Sequence, residues 1–477
     1  MIKRFLSRYH PRYIHSLVYM LQATEYQIGE YFSWLKRVTD FRHVEKRKKL
    51  VKTLKAKILL VFGWILGNTI VLFAIFFAVF SLTIYGYVFA LALIVLAPYI
   101  LAYGLALAII IGRFVQKPIE RAIINQAKKI LSEHKGYRVA IAGSFGKTSM
   151  REILKTVLSE GKKVAVPPHN HNTPLGIAKF IKDLRGDEEI LIFELGEYYP
   201  EDVRKLCELT QPDLGVITGV NEAHLEKFKT LDRTARTIFE LADFLERKPT
   251  YVNGENEIAR KYARAGHVIY DRNGVSDIKV TDAKTDLSGT SFTLMIDSKE
   301  QDFRSSLFGL HQIGPLVVSI AIARKIGLTI SQIKEGISKT KPFSHRLEPT
   351  VSEDGVVTLD DSYNGSPDGV RAVISFLASI KTNGKRFYVT PGLVEMGERT
   401  REIHREIGRE LVAAGVEKVV LIKNSVTPYI EEGLKENRYK GEIIWFSDAL
   451  SAFAVLPQMT AKGDIVLLQN DWPDQYA

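Results

Sequence analysis

The chain has 477 residues, an ordinary content of charged and apolar residues, and a formal net charge of +11. This length predicts about three domains, and the single cysteine, Cys207, excludes internal disulfides and thiolate metal clusters. Residues 1–57 contain 14 Lys/Arg and four Asp/Glu, giving +10, so residues 58–477 contribute only +1. Because the basic charge is confined to one end, the composition argues against a nucleic-acid partner.

Residues 1–57 mix aromatic and basic side chains, a composition typical of amphipathic helices lying on a membrane surface. Packing of this segment against soluble domains is equally compatible with the pattern. The cluster Lys46–Lys49 stands directly before a long apolar stretch, so its position favours contact with anionic lipid headgroups.

No charged residue occurs between Ile58 and Gly112. A membrane-spanning helix needs about 20 apolar residues, so the stretch predicts two spans, Ile58–Phe80 and Tyr87–Ile111, joined by a turn near Ser81–Gly86. A very long buried helix is the alternative. The stretch begins too far along the chain for a signal peptide.

Basic residues flank both ends of this predicted hairpin, with Arg113, Lys117 and Arg121 following the second span. Positive flanks are typical of the cytoplasmic side. The sequence therefore predicts a multi-pass protein of the cytoplasmic membrane with both termini and all later domains inside. Residues 113–136 are expected to form a helical linker.

Residues 137–343 alternate short apolar strands with helical patterns, which predicts an α/β domain with a largely parallel sheet. The segment Ile278–Ile296 alternates as antiparallel strands do. Residues 344–477 are expected to form a second, smaller doubly wound domain. Its predicted strands are Val356–Leu359, Arg386–Thr390, Lys418–Ile422, Glu442–Phe446 and Asp464–Leu468.

A glycine-rich turn with the sequence Gly-Ser-Phe-Gly-Lys-Thr-Ser follows the first of these strands. Backbone N–H groups at a helix N-terminus cradle phosphate, and a lysine and a hydroxyl there can serve the β/γ-phosphates and Mg²⁺. The turn predicts an ATP-binding loop. Its residues with expected contacts are Gly143, Ser144, Gly146, Lys147, Thr148 and Ser149.

Four more segments carry polar groups at the ends of predicted strands or near the domain boundary. Glu194 ends a buried strand, where ligands of open α/β sheets bind, so it is a candidate Mg²⁺ ligand. His224 follows the next strand and could hold a metal or orient phosphate. Arg346 can fork onto a phosphoryl group, and Asp361 stands in the acidic strand end Leu359-Asp-Asp-Ser-Tyr-Asn.

Seven segments occur in the order found in Mur ligases, and the chain resembles that family over roughly residues 137–468. They are the phosphate loop, Asn-His-Asn-Thr-Pro-Leu-Gly, Glu-Leu-Gly, Ala-His-Leu-Glu, Arg-Leu-Glu, Asp-Asp-Ser-Tyr-Asn and Glu-Met-Gly-Glu. Within the family, the resemblance is greatest to the ligases that add D-alanyl-D-alanine to UDP-N-acetylmuramoyl-tripeptide. The predicted membrane hairpin stands where these ligases have a UDP-binding domain.

The resemblance implies an ATP- and Mg²⁺-dependent ligase that activates a carboxylate as an acyl phosphate, which an amine then attacks. It implies a muramyl peptide as acceptor and an amino acid or dipeptide as donor. By the same resemblance Lys147 and Thr148 serve phosphates and Mg²⁺, Glu194 and His224 hold metal, and Asn172 contacts the reacting phosphate. The residues implied to complete the nucleotide site are Arg346, Asp361, Asn364 and His311.

Two departures from the family pattern concern the second metal and the base. The family's carbamylated lysine would fall near Ile238, where no lysine stands, and Glu240 is a possible substitute. The adenine-side pattern keeps His311 but loses both of its asparagines. Three readings therefore stay open: a peptidoglycan-precursor ligase, a ligase acting on a lipid-linked or other poly-amino-acid substrate, and an inactive nucleotide-binding membrane scaffold.

Overall fold

The computed structural model describes residues 2–45, 49–81, 83–168, 171–222, 225–363 and 365–470. The chain divides into two compact units, Met1–Arg121 and Ala122–Asp471. The first is helical and the second is a mixed α/β structure.

Three short helices and two long ones build the first unit. Their bounds are α1 Ile2–Leu6, α2 Tyr13–Ala23, α3 Ile28–Arg37, α4 Leu54–Phe80 and α5 Ile84–Glu133. The helix α4 begins at a cap in which the Thr53 hydroxyl accepts a hydrogen bond from the Ala56 amide at 3.2 Å. By length and composition, α4 and α5 are each apolar enough to cross a membrane. The helix α5 ends at Glu133, within the predicted linker at residues 113–136.

The short helices within the first 57 residues bury one face against the long helices. The aromatic side chains of α2 and α3, among them Tyr13, Tyr31 and Trp34, are buried in one apolar cluster with residues of α4 and α5. A close approach is possible because a Cβ on Gly63 of α4 would lie 2.6 Å from Ile14 Cγ2, so only glycine fits there. These helices therefore bury their aromatic faces on the long helices.

The second unit opens with a ten-stranded sheet in the order β10-β9-β8-β7-β6-β5-β4-β1-β3-β2. The six strands β1 to β6 pair in parallel, and the remaining four pair antiparallel, as the sequence pattern predicts for Ile278–Ile296. The strands are β1 Tyr137–Ala142, β2 Val164–Ala165, β3 Ile190–Glu194, β4 Leu214–Ile217, β5 Thr250–Asn253, β6 Val268–Asp271, β7 Gly274–Val275, β8 Ile278–Asp286, β9 Gly289–Ile296 and β10 Lys299–Ser305.

Helices cover both faces of this sheet, because its central strands are apolar on both sides. In β1, Val139 and Ile141 join one apolar layer, whereas Ala140 and Ala142 join the other. The helices are α6 Lys147–Leu158, α7 Pro174–Lys182, α8 Asp202–Thr210, α9 Leu225–Phe228, α10 Leu231–Leu245, α11 Glu257–Tyr262, α12 Ile313–Ile326 and α13 Ile330–Ser338.

A six-stranded sheet in the order β11-β12-β16-β13-β14-β15 follows in the same unit. Its strands are β11 Glu348–Val351, β12 Val357–Asp361, β13 Arg386–Thr390, β14 Lys418–Ile422, β15 Glu442–Phe446 and β16 Ile465–Gln469. Its helices are α14 Pro367–Ser379, α15 Thr400–Ala413, α16 Thr427–Glu436 and α17 Ala449–Met459. The five predicted strands are confirmed, and only the edge strand β11 has no counterpart among them.

Candidate active site

The phosphate loop joins β1 to α6 and depends on two glycines with positive φ. Gly143 has φ 149° and Gly146 has φ 73°. A Cβ on Gly143 would lie 2.1 Å from the Thr218 hydroxyl oxygen, so a side chain there would displace the strand end beyond β4. The Ser144 amide donates to the Gly219 carbonyl at 2.9 Å, which ties the loop to that strand end. The loop is thus shaped before any ligand arrives, with the free N–H groups of α6 at its mouth.

Lys147 is the first residue of α6, and its ammonium group is held by two oxygens. It donates to the Gly143 carbonyl and forms an ion pair with the buried carboxylate of Glu197 at 2.8 Å. The sequence motifs did not single out Glu197. Its signal is its place just beyond the carboxyl end of β3, the edge where ligands of such sheets bind.

Glu194 ends β3 and gathers three donors around one buried carboxylate. The Thr148 hydroxyl lies 3.1 Å from Oε2, Arg151 Nη1 lies 3.2 Å from Oε2, and Asn172 Nδ2 lies 3.4 Å from Oε1. Glu194 and Arg151 are each 5% exposed, so their charges neutralise each other inside the protein. Arg151 was not predicted, although its i, i+3 spacing from Thr148 places both on one face of α6.

Oxygen donors suited to a hard divalent cation converge at this point. Mg²⁺ takes oxygen ligands and is commonly held by one or two carboxylates together with substrate phosphates. Thr148 and Glu194 supply a hydroxyl and a carboxylate, and the Asn172 Oδ1 and Ser144 Oγ atoms are buried with no hydrogen-bond partner among the described residues. Within that same part of the chain, no group of three or more His, Cys, Asp or Glu residues is placed to hold a metal ion. The residues therefore fit a magnesium ion shared with phosphate.

Three predicted site residues are not among the side chains that the structure places around Glu194. His224 and Asn364 lie outside the described residues. Ser149 follows in the first turn of α6 and is half-buried.

Glu240, the possible substitute for the family's lysine, binds the N-terminus of a helix. Its carboxylate accepts hydrogen bonds from the backbone amides of Glu201 and Arg204, each at 2.9 Å, at the N-terminus of α8. Burial raises the pKa of this carboxyl. Ile238, where the family's lysine would fall, is fully buried in the apolar core. A side chain at that position therefore faces the core, and a replacement for the lysine is found at neither residue.

Arg346 and Asp361 of the smaller domain form the second group of candidate residues. The Arg346 guanidinium lies over the Tyr363 ring at 5.0 Å from its centroid. Burial lowers the pKa of Arg346, and the negative charges of Asp361 and Glu194 oppose that shift. The charge of Glu194, in the other domain, thus acts on the Arg346 guanidinium.

Asp361 ends β12 in a buried position, 7% exposed. Its Oδ2 accepts a hydrogen bond from Gln469 Nε2 at 2.6 Å. Burial raises the pKa of Asp361 to about 6, although Arg346 acts to lower it. At neutral pH the carboxylate is therefore mostly ionised and opposes the charge of Arg346.

Backbone strain surrounds Arg346. His345 has φ 60° and Leu347 has φ 49°, a left-handed conformation that residues with a side chain rarely adopt. The turn is closed by the Arg346 amide donating to the Phe343 carbonyl at 2.9 Å, and His345 Nδ1 lies 2.8 Å from Asp360 Oδ2. Strain of this kind clusters at functional sites, where surrounding contacts enforce it. The turn thus fixes the backbone position from which the Arg346 side chain extends.

Side chains from both domains meet just beyond the carboxyl end of β4. Asn221 Nδ2 donates to Asp368 Oδ2 at 3.2 Å, and Arg399 forms an ion pair with the buried Glu222. These contacts join the strand end beyond β4 to α14 and to the start of α15. Residues of the large domain's ligand edge and of the small domain are therefore held together in one unit.

His311 lies in the short turn that leads into α12. Burial lowers its pKa to about 4, so the ring is neutral at physiological pH. Its Nε2 lies 3.0 Å from Gln312 Nε2. A neutral ring can stack on or hydrogen-bond a base, but its contact with adenine stays a prediction.

Comparison with known proteins gives two family matches that together cover most of the second unit. Residues 141–323 match the Mur ligase middle domain, and residues 345–469 match the Mur ligase glutamate ligase domain. The UDP-N-acetylmuramoyl-tripeptide–D-alanyl-D-alanine ligase of Bacillus subtilis is 23% identical over 350 residues, which are 73% of this chain and 76% of that protein. The enzyme of the same name from Mycobacterium tuberculosis is 28% identical over 354 residues, 69% of each chain.

Solved structures agree on the fold. MurF ligase from Thermotoga maritima, in complex with ADP, superposes with a TM-score of 0.66 at 25% identity, covering 74% of this chain and 80% of that one. MurF from Acinetobacter baumannii gives a TM-score of 0.65 at 19% identity, covering 75% and 78%. With its phosphate loop, its ordered motifs and both of its catalytic domains matched, this chain belongs to the Mur ligase family of ATP- and Mg²⁺-dependent acid–amino-acid ligases.

Proposed function

We propose that this chain adds D-alanyl-D-alanine to the free carboxylate of a muramyl tripeptide during synthesis of peptidoglycan precursors. The observation that carries the proposal is the meeting of two half-sites. Lys147 and Glu194 lie in one domain and Arg346 lies in the other, and the Asn221–Asp368 hydrogen bond joins the two domains. The named relatives act on this donor and acceptor, according to their names.

The residues of the large domain would bind and orient ATP. Backbone N–H groups at the start of α6 and the ammonium of Lys147 would face the β/γ-phosphates. Thr148, Glu194 and Asn172 would supply oxygen donors for Mg²⁺, which neutralises phosphate charge when bound. Glu197 would keep Lys147 beside the loop rather than in solvent.

The residues of the small domain would act at the transferring group. Arg346 would place a planar guanidinium against the phosphoryl oxygens, and ionised Asp361 would oppose its charge before the nucleotide binds. The carboxylate oxygen of the acceptor attacks phosphorus, ADP leaves, and the donor amine then displaces phosphate to form the amide. Contact between the domains would exclude water from the acyl phosphate.

We infer further that the hairpin of α4 and α5 attaches the enzyme to the cytoplasmic membrane, with the catalytic domains inside the cell. The support is the length and apolar character of both helices and the basic residues at their ends. Such an attachment favours a second candidate acceptor, a lipid-linked muramyl peptide presented at the bilayer surface.

An ADP-release assay of the full chain tests both candidates. The protein in lipid nanodiscs is given ATP, D-alanyl-D-alanine or single amino acids, and either UDP-linked or lipid-linked muramyl tripeptide, and products are identified by mass. We expect ADP release only when donor and acceptor are both present, and its loss in Lys147→Ala. The matched control is Lys155→Ala, which removes a 46% exposed lysine from the same helix.

The outcome separates the three readings. Release that requires a muramyl acceptor supports the proposal, and the preferred acceptor identifies its carrier. Release with other amino-acid donors alone would favour a different polymer. Nucleotide binding without acceptor-dependent turnover would support the inactive scaffold.

A further inference from the structure

The short segments before α2 and after α3 carry basic side chains partway along the hairpin of α4 and α5. We call this group, which includes Arg8, Arg12 and Arg42, the basic belt. The Tyr9 hydroxyl donates to the Val95 carbonyl at 2.7 Å, and the Tyr13 hydroxyl donates to the Pro98 carbonyl at 3.3 Å. The segments preceding α2 and following α3 therefore lie at the level of Val95 to Tyr99.

Charged side chains gather at this level. The Arg8 guanidinium lies 4.3 Å from the centroid of the Tyr99 ring. Asp40 and Arg42 form a two-pronged ion pair, at 2.9 and 2.6 Å, next to Phe41, whose ring contacts Tyr13. The exposed cations on the same short helices and their connections are Arg12, Lys36, Arg37 and Arg42.

Beyond the belt, the hairpin is apolar and uncovered. The most exposed large side chains there are Leu72 and Phe80 of α4 and Ile84, Tyr85 and Leu91 of α5. This hairpin tip ends at Ser81 and Thr83, whose hydroxyls pair at 2.8 Å. An uncovered apolar surface of this size marks a contact with lipid or protein.

The length of the hairpin tip beyond the basic belt limits how deeply the tip can enter a bilayer. From Ile84 to Val95 a helix rises about 16 Å, close to half of the ~30 Å hydrocarbon core. A full crossing measured from the turn would extend about 20 residues, to near Tyr103. That depth would place Arg8 and the Asp40–Arg42 pair in hydrocarbon, where charged side chains are rare and costly.

We propose that the hairpin enters one leaflet from the cytoplasmic side and returns, with its tip in lipid and the basic belt among anionic headgroups. Further exposed apolar side chains of the two helices, including Trp64, Tyr103 and Leu107, can meet the same leaflet if the hairpin is tilted. The partner is thus the surface of an anionic bilayer. The proposal replaces the two crossings predicted from the sequence. It rests on the proposed membrane attachment and is independent of ligase activity.

Single-cysteine labelling tests the topology in the full chain. In a Cys207→Ala background, Thr83→Cys is treated with a membrane-impermeant maleimide in right-side-out and in inside-out vesicles. Tyr85→Cys repeats the measurement at a side chain that is 83% exposed. Ser132→Cys, exposed on the last turns of α5, marks the cytoplasmic side.

We expect both tip cysteines to be unlabelled in either vesicle type and labelled after detergent is added, while Ser132→Cys reacts only in inside-out vesicles. Labelling of the tip in right-side-out vesicles would establish full crossing and overturn the proposal. Labelling of the tip in inside-out vesicles, or recovery of the chain in the soluble fraction, would also overturn it. Loss of ligase activity with unchanged labelling would count against the proposed function alone.

Discussion

The two halves of the candidate site are held in different ways. In the large domain, Lys147 and Glu194 stand at the ends of regular elements, and their partners come from the same domain. In the small domain, Arg346 lies in a short turn between two residues with positive φ, and its guanidinium packs over the Tyr363 ring. The comparison suggests that the phosphate-binding half is preformed, whereas the half that acts on the transferring group depends on a strained turn.

Replacing Arg346 should have the largest effect, because it should lower the rate of catalysis without weakening nucleotide binding. We expect Arg346→Ala to lower kcat about 10³-fold, since a guanidinium at a transferring phosphoryl group is worth about 10³–10⁵. Arg346→Lys should recover only part, because an ammonium cannot fork. The control, Arg401→Ala, removes a 63% exposed arginine paired with Glu432. ADP binding by calorimetry should barely change in any variant, and an equal loss of nucleotide affinity would place Arg346 in the preformed half.

Asp361 offers a test in which activity and stability move in opposite directions. Its pKa rises on folding from 3.8 to about 6, so the folded protein binds the proton more tightly than the unfolded chain does. The resulting stabilisation is complete below pH 4 and is lost as the pH rises through 6. Asparagine imitates the protonated form. Asp361→Asn should therefore raise the free energy of unfolding by about 1–3 kcal/mol at pH 8 and not at pH 4.

Urea unfolding of the detergent-solubilised protein at the two pH values measures this difference. The same variant should lose about tenfold in kcat, since the charge opposite Arg346 is gone. A variant that is less stable at pH 8 would show that Asp361 serves the fold instead.

Glu197 should matter through Lys147. We expect Glu197→Gln to raise the KM for ATP about tenfold while kcat changes little, because the lysine loses its charged anchor beside the loop. Glu189→Gln is a suitable control, since Glu189 is 45% exposed and pairs with Lys162 rather than with the loop. Steady-state kinetics with ATP as the varied substrate gives both constants. A fall in kcat at constant KM would mean that Glu197 acts in the chemical step.

The strained turn should give the smallest effect. His345→Gly relieves a positive φ worth about 1 kcal/mol, and it should lower kcat a few-fold because Arg346 is less well fixed. Ser276→Gly relieves a similar strain, at φ 52°, in an exposed hairpin. Thermal unfolding at pH 8 should show the larger gain for Ser276→Gly, because His345→Gly also loses its contact with Asp360, and kcat should fall only for His345→Gly. Equal activity in the two variants would show that the strained turn does not position Arg346 for catalysis.

Local sequence patterns predict the regular elements of both halves, but not the side-chain pairs and strained turn that complete the site. The phosphate loop and the strands of the small domain follow from local patterns of glycine and apolar residues, and the fold confirms them. The Arg151–Glu194 and Lys147–Glu197 pairs join residues 43 and 50 positions apart, and only tertiary packing brings them together. The positive φ values beside Arg346 are equally hidden, because His345 and Leu347 carry no turn signature.

The most direct test of the central claim follows an oxygen atom. The full chain is incubated with ATP, D-alanyl-D-alanine and a muramyl tripeptide whose acceptor carboxylate carries ¹⁸O, and the released phosphate is examined by mass spectrometry. Activation as an acyl phosphate predicts one ¹⁸O atom in the phosphate for each amide formed. Phosphate free of ¹⁸O, with ADP released at the same rate whether or not the acceptor is present, would contradict the claim that the two domains activate a carboxylate.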